Sequence, residues 1–198
     1  MAAGQRKART ALFGGTFDPI HNAHLEIARA AVSRFDLRKV LFVPAANPPH
    51  KSDIALAPYE DRVRMAELAC AGEPAFEVSR IEEAIGPDPQ QRSYSINTIE
   101  KLLTAGMGDL SFLIGADAFA EIRTWYRWED VVRLVEFIVV DRPGAVYQIP
   151  PGATVHPLGG LQIPISSSAI RQLLAAADKS VPVPAAVLRY IRAQGLYR

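Results

Sequence analysis

Five runs rich in β-branched and aromatic residues recur along this chain, each separated from the next by residues of helical period. They span residues 10–13, 39–44, 76–81, 110–114 and 136–140, with a short sixth at 154–157. Strands that are apolar on both faces need cover on both faces, and intervening helices supply it. The predicted helices are 24–34, 59–71, 95–104 and 129–134. The C-terminal third is helical. It holds 166–177, with Ile170, Leu173 and Leu174 on one face, and 184–193, which opens on a proline and ends at Gly195. The expected fold is therefore α/β, with a doubly wound, mainly parallel sheet and a helical C-terminal portion. Loops are expected where Pro and Gly cluster, at 44–51, 86–92 and 143–152. The length of 198 residues suits one well-buried domain, and no repeat or linker interrupts it, so 1–198 is read as a single domain.

Charge narrows the classes of function. Twenty-two Lys and Arg against 21 Asp and Glu leave a net charge of +1, which gives no broad basic surface for nucleic acid. The single Cys70 excludes an internal disulfide. It sits among Met65, Leu68 and Ala69, which predicts a buried, inert thiol. No apolar run approaches the roughly 20 residues of a membrane span. The basic start lacks the apolar stretch of a signal peptide, so the expected location is cytoplasmic. Association of identical copies is compatible with the composition.

The chemistry concentrates after the first strand, in Gly14-Gly15-Thr16-Phe17-Asp18-Pro19-Ile20-His21-Asn22-Ala23-His24. A strand, a glycine-rich turn and a helix start follow one another here. Such a junction turns backbone N–H groups and the positive end of a helix dipole toward an anion. Gly14 and Gly15 allow close backbone approach. The turn lacks the Lys of a P-loop and the third glycine of a dinucleotide fingerprint, so alone it reads as an ordinary strand–helix turn. His21 and His24, three apart, share a helical face and add donors for phosphate oxygens. No third ligand stands at zinc spacing nearby. A second phosphate signal is Ile165-Ser166-Ser167-Ser168-Ala169-Ile170-Arg171. Its hydroxyls and N–H groups open a helix, and Arg171 adds a fixed positive charge.

Three further groups fit a nucleotide site. His50 and Lys51 lie in a proline-stiffened loop beyond the second strand, where cations can meet phosphates. Asp117 follows the fourth strand, where a carboxylate accepts from ribose hydroxyls. Trp125 and Tyr126 can stack on a flat ring, and core packing is the competing role for either.

Taken together, these motifs resemble the nucleotidyltransferase superfamily. The first is similar to its His-x-Gly-His element, with Ala23 for Gly, and the second to I-S-S-T-x-I-R, with Ser168 for Thr. Four more segments resemble the bacterial nicotinate mononucleotide adenylyltransferases. They are Pro48-Pro49-His50-Lys51; Ser93-Tyr94-Ser95-Ile96-Asn97-Thr98, similar to S-Y-T-x-D-T; Gly115-Ala116-Asp117 with Trp125-Tyr126-Arg127; and Asp141-Arg142-Pro143-Gly144.

The resemblance implies a Rossmann-like fold and transfer of AMP from ATP to nicotinate mononucleotide, giving deamido-NAD and pyrophosphate. It implies catalytic roles for His21, His24 and Arg171. It places Gly14, Gly15, Thr16, Phe17, Gly115, Asp117, Ile165, Ser166, Ser167 and Ser168 on ATP. It places Asp18, His50, Lys51, Ser95, Trp125, Tyr126 and Arg142 on the mononucleotide, with Trp128 left to packing. Mg2+ would arrive with ATP, and no metal site of the protein's own is implied. Preference for the nicotinamide substrate, or for both, is the nearest alternative, because Asn97 stands where the family has Asp. A non-catalytic nucleotide-binding protein of the same fold is a remoter one, which loss of either histidine or of Arg171 would have favoured.

Overall fold

The computed structural model describes residues 9–49, 56–83, 91–141, 144, 146–161, 165–178 and 180–198. The elements run β1 (Thr10–Gly15), α1 (Asn22–Phe35), β2 (Lys39–Pro44), α2 (Tyr59–Cys70), β3 (Phe76–Val78), α3 (Ser95–Thr104) and β4 (Leu110–Gly115). They continue with α4 (Ala116–Ala120), a 3-10 turn (Ile122–Thr124), α5 (Trp128–Leu134), β5 (Glu136–Val140), β6 (Val155–Leu158), α6 (Ser167–Ala175) and α7 (Ala185–Gln194). The six strands form one parallel sheet in the order β3-β2-β1-β4-β5-β6. This is the doubly wound Rossmann order, and strand order reverses between β1 and β4.

The pleat divides the core in two. Ala11 and Phe13 of β1, Val40 and Phe42 of β2, and Ile138 and Val140 of β5 face one side. There they meet Leu25, Ala28 and Ala31 of α1, Met65 and Ala69 of α2, Ile170 of α6, and Val187 and Ile191 of α7. Leu12, Leu41, Phe112 and Phe137 face the other side, against Ile96, Ile99 and Leu102 of α3 and Val131 of α5. Alternate residues of one strand thus serve opposite layers, which is why the strands read as unbroken apolar runs. Cys70 is buried, and burial pushes its thiol up to about 12, well outside the range of a nucleophile at neutral pH.

Several boundaries differ from the sequence expectation for local reasons. β1 extends through Gly14 and Gly15, because both pair with β2, at Val43 and Pro44. β3 stops at Val78 rather than 81, since it is an edge strand paired only to β2 over three residues. β6 is shifted one residue onward, where Leu158 reaches the core opposite Val140. α4 and the 3-10 turn, five and three residues long, were too short to carry a periodic signal. α6 ends two residues early, before Ala177 takes a left-handed conformation at φ 54°. Among the described residues, no helix is long and apolar enough to cross a membrane.

Candidate active site

Where strand order reverses, β1 ends on Gly15 and β4 on Gly115, and a helix start follows each. This position lies beyond the carboxyl ends of the strands, the usual ligand position of such sheets. Gly15 leaves room for its neighbour: a Cβ there would stand 3.1 Å from the Phe17 ring, a tight approach. Phe17 itself is left-handed, at φ 50°, and only 2% exposed. That conformation costs a non-glycine residue about 1–2 kcal/mol. Burial of a phenyl ring is worth about 1.5–3 kcal/mol and offsets it. Phe17 packs edge-on against Phe13 and His24, with ring centroids 5.7 and 5.1 Å apart. Its side chain therefore supports His24 from the core, and its backbone is what it offers the turn.

His21 caps α1 with extended backbone, and His24 stands three residues on, in a reciprocal capping arrangement. The His21 N–H donates to Nδ1 of His24 at 3.2 Å. That bond makes Nδ1 an acceptor and assigns the proton of the neutral ring to Nε2. The two imidazoles stack, with centroids 3.7 Å apart. His21 is buried and His24 partly exposed. A backbone hydrogen bond, a stacked ring and an aromatic floor thus fix the orientation of His24 before any ligand arrives.

The two ends of the chain meet here. α6 opens on Ser166, whose Oγ accepts from the Ala169 N–H at 3.2 Å. Ser167 Oγ donates to the Pro19 carbonyl at 3.1 Å, and Arg171 Nη1 donates to the Asp18 carbonyl at 2.7 Å. Arg171 Nη2 donates to Ser168 Oγ at 3.3 Å. Ile165 leads into this helix start and packs on the core. The serine-rich start and the glycine–histidine turn therefore form one wall, 148 and 153 residues apart in sequence at these contacts.

Asp18 lies inside that wall. It is 1% exposed, and Oδ1 accepts from Tyr197 Oη at 2.6 Å and from the Ala57 N–H at 3.2 Å. Oδ2 stands 3.6 Å from Arg171 Nη1. The structure turns this carboxylate inward, onto protein donors. Tyr197 responds strongly: burial, then the bond to Asp18, holds its phenol far above the ordinary range.

A second wall is aromatic. Pro49, Tyr94, Ser95, Thr124, Trp125 and Tyr126 line a cleft of about 360 Å³. Tyr94 and Tyr126 lie 4.7 Å apart between ring centroids, and Tyr126 is 55% exposed. Trp125 is half-buried and rests edge-on against Phe112 of β4 at 5.7 Å. Trp128 begins α5 and packs on the core beneath Arg123. Asp117 is exposed in the first turn of α4, directly after Gly115. His50, Lys51 and Arg142 fall outside the described residues.

Three participants escaped the sequence reading. Arg62 of α2 is 2% exposed and donates to four main-chain carbonyls, of Thr16, Ala45, Ala46 and Ala57. Burial lowers its pKa, and nearby Asp18 is the strongest opposing influence. Its signal was present: Arg62 shares a helical face with Met65, Ala66 and Ala69, so a charge sits in an apolar stripe. Glu82 is 5% exposed and accepts from Thr98 Oγ1 at 2.6 Å and the Ala46 N–H at 3.1 Å. Tyr197 carried no signal, because its partner lies 179 residues away.

A doubly wound sheet with a glycine–histidine turn and a serine–arginine helix start at its reversal point defines a nucleotidyltransferase class of site. A family model described as cytidylyltransferase-like matches residues 12–173. Over 192 residues, the chain is 58% identical to a protein of Solibacter usitatus named "Probable nicotinate-nucleotide adenylyltransferase", covering 96% of this chain and 99% of that one. Proteins with the same name from Geotalea uraniireducens and Acidothermus cellulolyticus are each 38% identical, over 94% and 98% of this chain and 96% of each relative. The fold also matches Plasmodium falciparum nicotinic acid mononucleotide adenylyltransferase complexed with NaAD, at a TM-score of 0.74 and 17% identity, over 96% of this chain and 97% of that one. The chain belongs to the cytidylyltransferase-like family and, within it, to the nicotinate-nucleotide adenylyltransferases.

Proposed function

We propose that this protein transfers the adenylyl group of ATP to nicotinate mononucleotide, forming deamido-NAD and pyrophosphate, a step of NAD biosynthesis. One observation carries the assignment of the site: the Gly14–His24 turn and the Ser166–Arg171 helix start are hydrogen-bonded into one wall, through Ser167 and Arg171. The aromatic cleft stands as a second substrate wall.

In this reading the mononucleotide phosphate attacks the α-phosphorus of ATP in line. The phosphate is already ionised near neutral pH, so no general base is required. Catalysis comes from alignment and charge stabilisation. His24 donates from Nε2 to the charge developing at the α-phosphate, with His21 fixing its ring. Gly14, Gly15, Thr16 and Phe17 supply backbone to the triphosphate. Ser166, Ser167, Ser168 and Arg171 hold its β- and γ-phosphates. Gly115 and Asp117 receive the adenosine ribose. Trp125 and Tyr126 take the pyridine ring beside Ser95, and His50, Lys51 and Arg142 balance the mononucleotide phosphate. Mg2+ is assigned to the triphosphate, where it would neutralise phosphate oxygens. A cytoplasmic setting, where ATP is abundant, accompanies the assignment.

The test is a parallel assay of ATP with nicotinate mononucleotide, with nicotinamide mononucleotide and with neither. Pyrophosphate should appear in step with the dinucleotide, faster for the acid, and not without a mononucleotide. Pyrophosphate release from ATP alone would sink the reading, and faster turnover of the amide would transfer it to the nicotinamide substrate.

A further inference from the structure

We infer that Arg62, whose guanidinium is spent on main-chain carbonyls, is a positioning residue that sets the distance between the triphosphate turn and the aromatic cleft. The inference rests on the reaction assigned above. It starts from a charge in the wrong place: Arg62 is the largest fully buried side chain among the described residues and sits in an otherwise apolar stripe of α2. A buried guanidinium is costly unless its donors are used. Here they are used on backbone, and on three separate stretches of it. Nη1 donates to the carbonyls of Thr16 at 2.8 Å and Ala45 at 2.7 Å, and Nε donates to Ala57 at 3.0 Å.

Those stretches belong to both substrate walls. Thr16 lies in the turn that faces the triphosphate. Ala45 begins the exit from β2, which runs through Asn47 to Pro49 on the aromatic cleft. The same exit is held from its other side. The Ala46 N–H donates to Glu82 at 3.1 Å, and the Asn47 N–H donates to Ser93 Oγ at 2.8 Å. Ala45 N–H also donates to the Gly15 carbonyl at 2.8 Å, so the exit and the turn are adjacent strand ends. Arg62 takes the carbonyls and Glu82 takes an N–H, and between them the peptide planes have little freedom. The planar fork of arginine can span Thr16, Ala45 and Ala57 at once, and the single ammonium of lysine cannot. Because in-line transfer depends on the separation of two phosphates, a shift of about 1 Å costs roughly 100-fold in rate.

The test is Arg62→Lys, which keeps the charge and loses the fork. The variant is assayed well below its melting temperature, with the folded fraction measured by near-ultraviolet circular dichroism. Binding of each substrate alone is measured by calorimetry, with a non-hydrolysable ATP analogue for the triphosphate. The expected result is a kcat per folded molecule lower by about 10- to 100-fold, with each binary Kd changed by less than about threefold. A residue that only stabilises the fold would lower the melting temperature and leave kcat per folded molecule unchanged, and a kcat within twofold of wild type overturns the inference. Should Arg62→Lys not fold, Glu82→Ala probes the same strand exit from the opposite side. It leaves the Ala46 N–H without its acceptor, and kcat should again fall with binary binding kept; an unchanged kcat there overturns the inference as well. Wild-type turnover measured alongside separates the two claims. An inactive wild type sinks the assigned reaction, whereas an active wild type with an equally active variant sinks only the role of Arg62.

Discussion

At the scale of single residues, the site is built by orientation rather than by exposure. His24 accepts from the backbone through Nδ1 and leans on Phe17, so its Nε2 proton is aimed without rotamer loss on binding. His24→Ala should therefore lower kcat by about 10²–10³-fold, as for removal of a preorganised donor to a developing charge. Steady-state kinetics checks this, and ATP affinity should change far less. Trp125 tests the other wall. Its ring is anchored edge-on by Phe112, which leaves its half-exposed surface in the cleft. Trp125→Ala should raise KM for the mononucleotide, since ring stacking is worth about 0.5–1.5 kcal/mol beyond area burial. KM for ATP should stay nearly constant, and an equal rise for both substrates would make Trp125 a packing residue. The residue types of this site were legible from sequence, but the inward turn of Asp18 was not. A carboxylate in a glycine–histidine turn gives no sign of whether a distant tyrosine will claim it.

The secondary-structure elements show where local rules sufficed. α6 begins where three serines predicted a cap, and Ser166 is that cap. The same residue is assigned to ATP phosphate, so two of its roles can be separated. Ser166→Ala should cost about 0.5–2 kcal/mol of stability, which is a fall in Tm of roughly 2–4 °C per kcal/mol. Ser166→Asp is an equally good cap and should restore Tm, while its charge repels the triphosphate and raises KM for ATP. Thermal melts and ATP kinetics on both variants check the split; a Ser166→Asp with normal ATP kinetics would remove Ser166 from the phosphate site. The helices were legible because their period of 3.6 is written in the apolar residues, and the central strands because burial on both faces makes each an unbroken apolar run. The end of the edge strand β3 and the short α4 were not, because three or five residues hold less than two periods of any pattern.

The whole molecule is closed by contacts between residues far apart in sequence. Tyr197 reaches Asp18, and Tyr190 of α7 donates to Asp61 of α2 at 2.7 Å. Tyr59, Tyr190 and Tyr197 all have phenol pKa values raised above their usual position near 10, Tyr59 chiefly by burial and Tyr190 chiefly by its bond to Asp61. Tyr59 and Tyr190 are each pushed up to about 12. Above the unfolded value the unfolded chain loses protons that the folded chain keeps, so rising pH favours unfolding. Stability should begin to fall near pH 9, where the thiol of Cys70 first enters, and fall steadily from about pH 10 upward. Denaturant melts across that range check the slope. Tyr197→Phe should flatten it in part, and should lower Tm at neutral pH because it removes a bond to a buried carboxylate, worth about 1.5–3 kcal/mol. A wild type whose stability is unchanged between pH 9 and 12 would overturn the account.

The sequence by itself determined the alternation of strands and helices, the faces they bury and the two motifs that open α1 and α6. Each of these follows from residues close together in the chain. Only the tertiary structure decided how the motifs are held against each other. Arg62 grips the carbonyls of Thr16, Ala45 and Ala57, and every residue type carries such a carbonyl. A side chain that binds backbone leaves no complementary letter in the sequence, so its partners emerge only when the sheet brings them within reach.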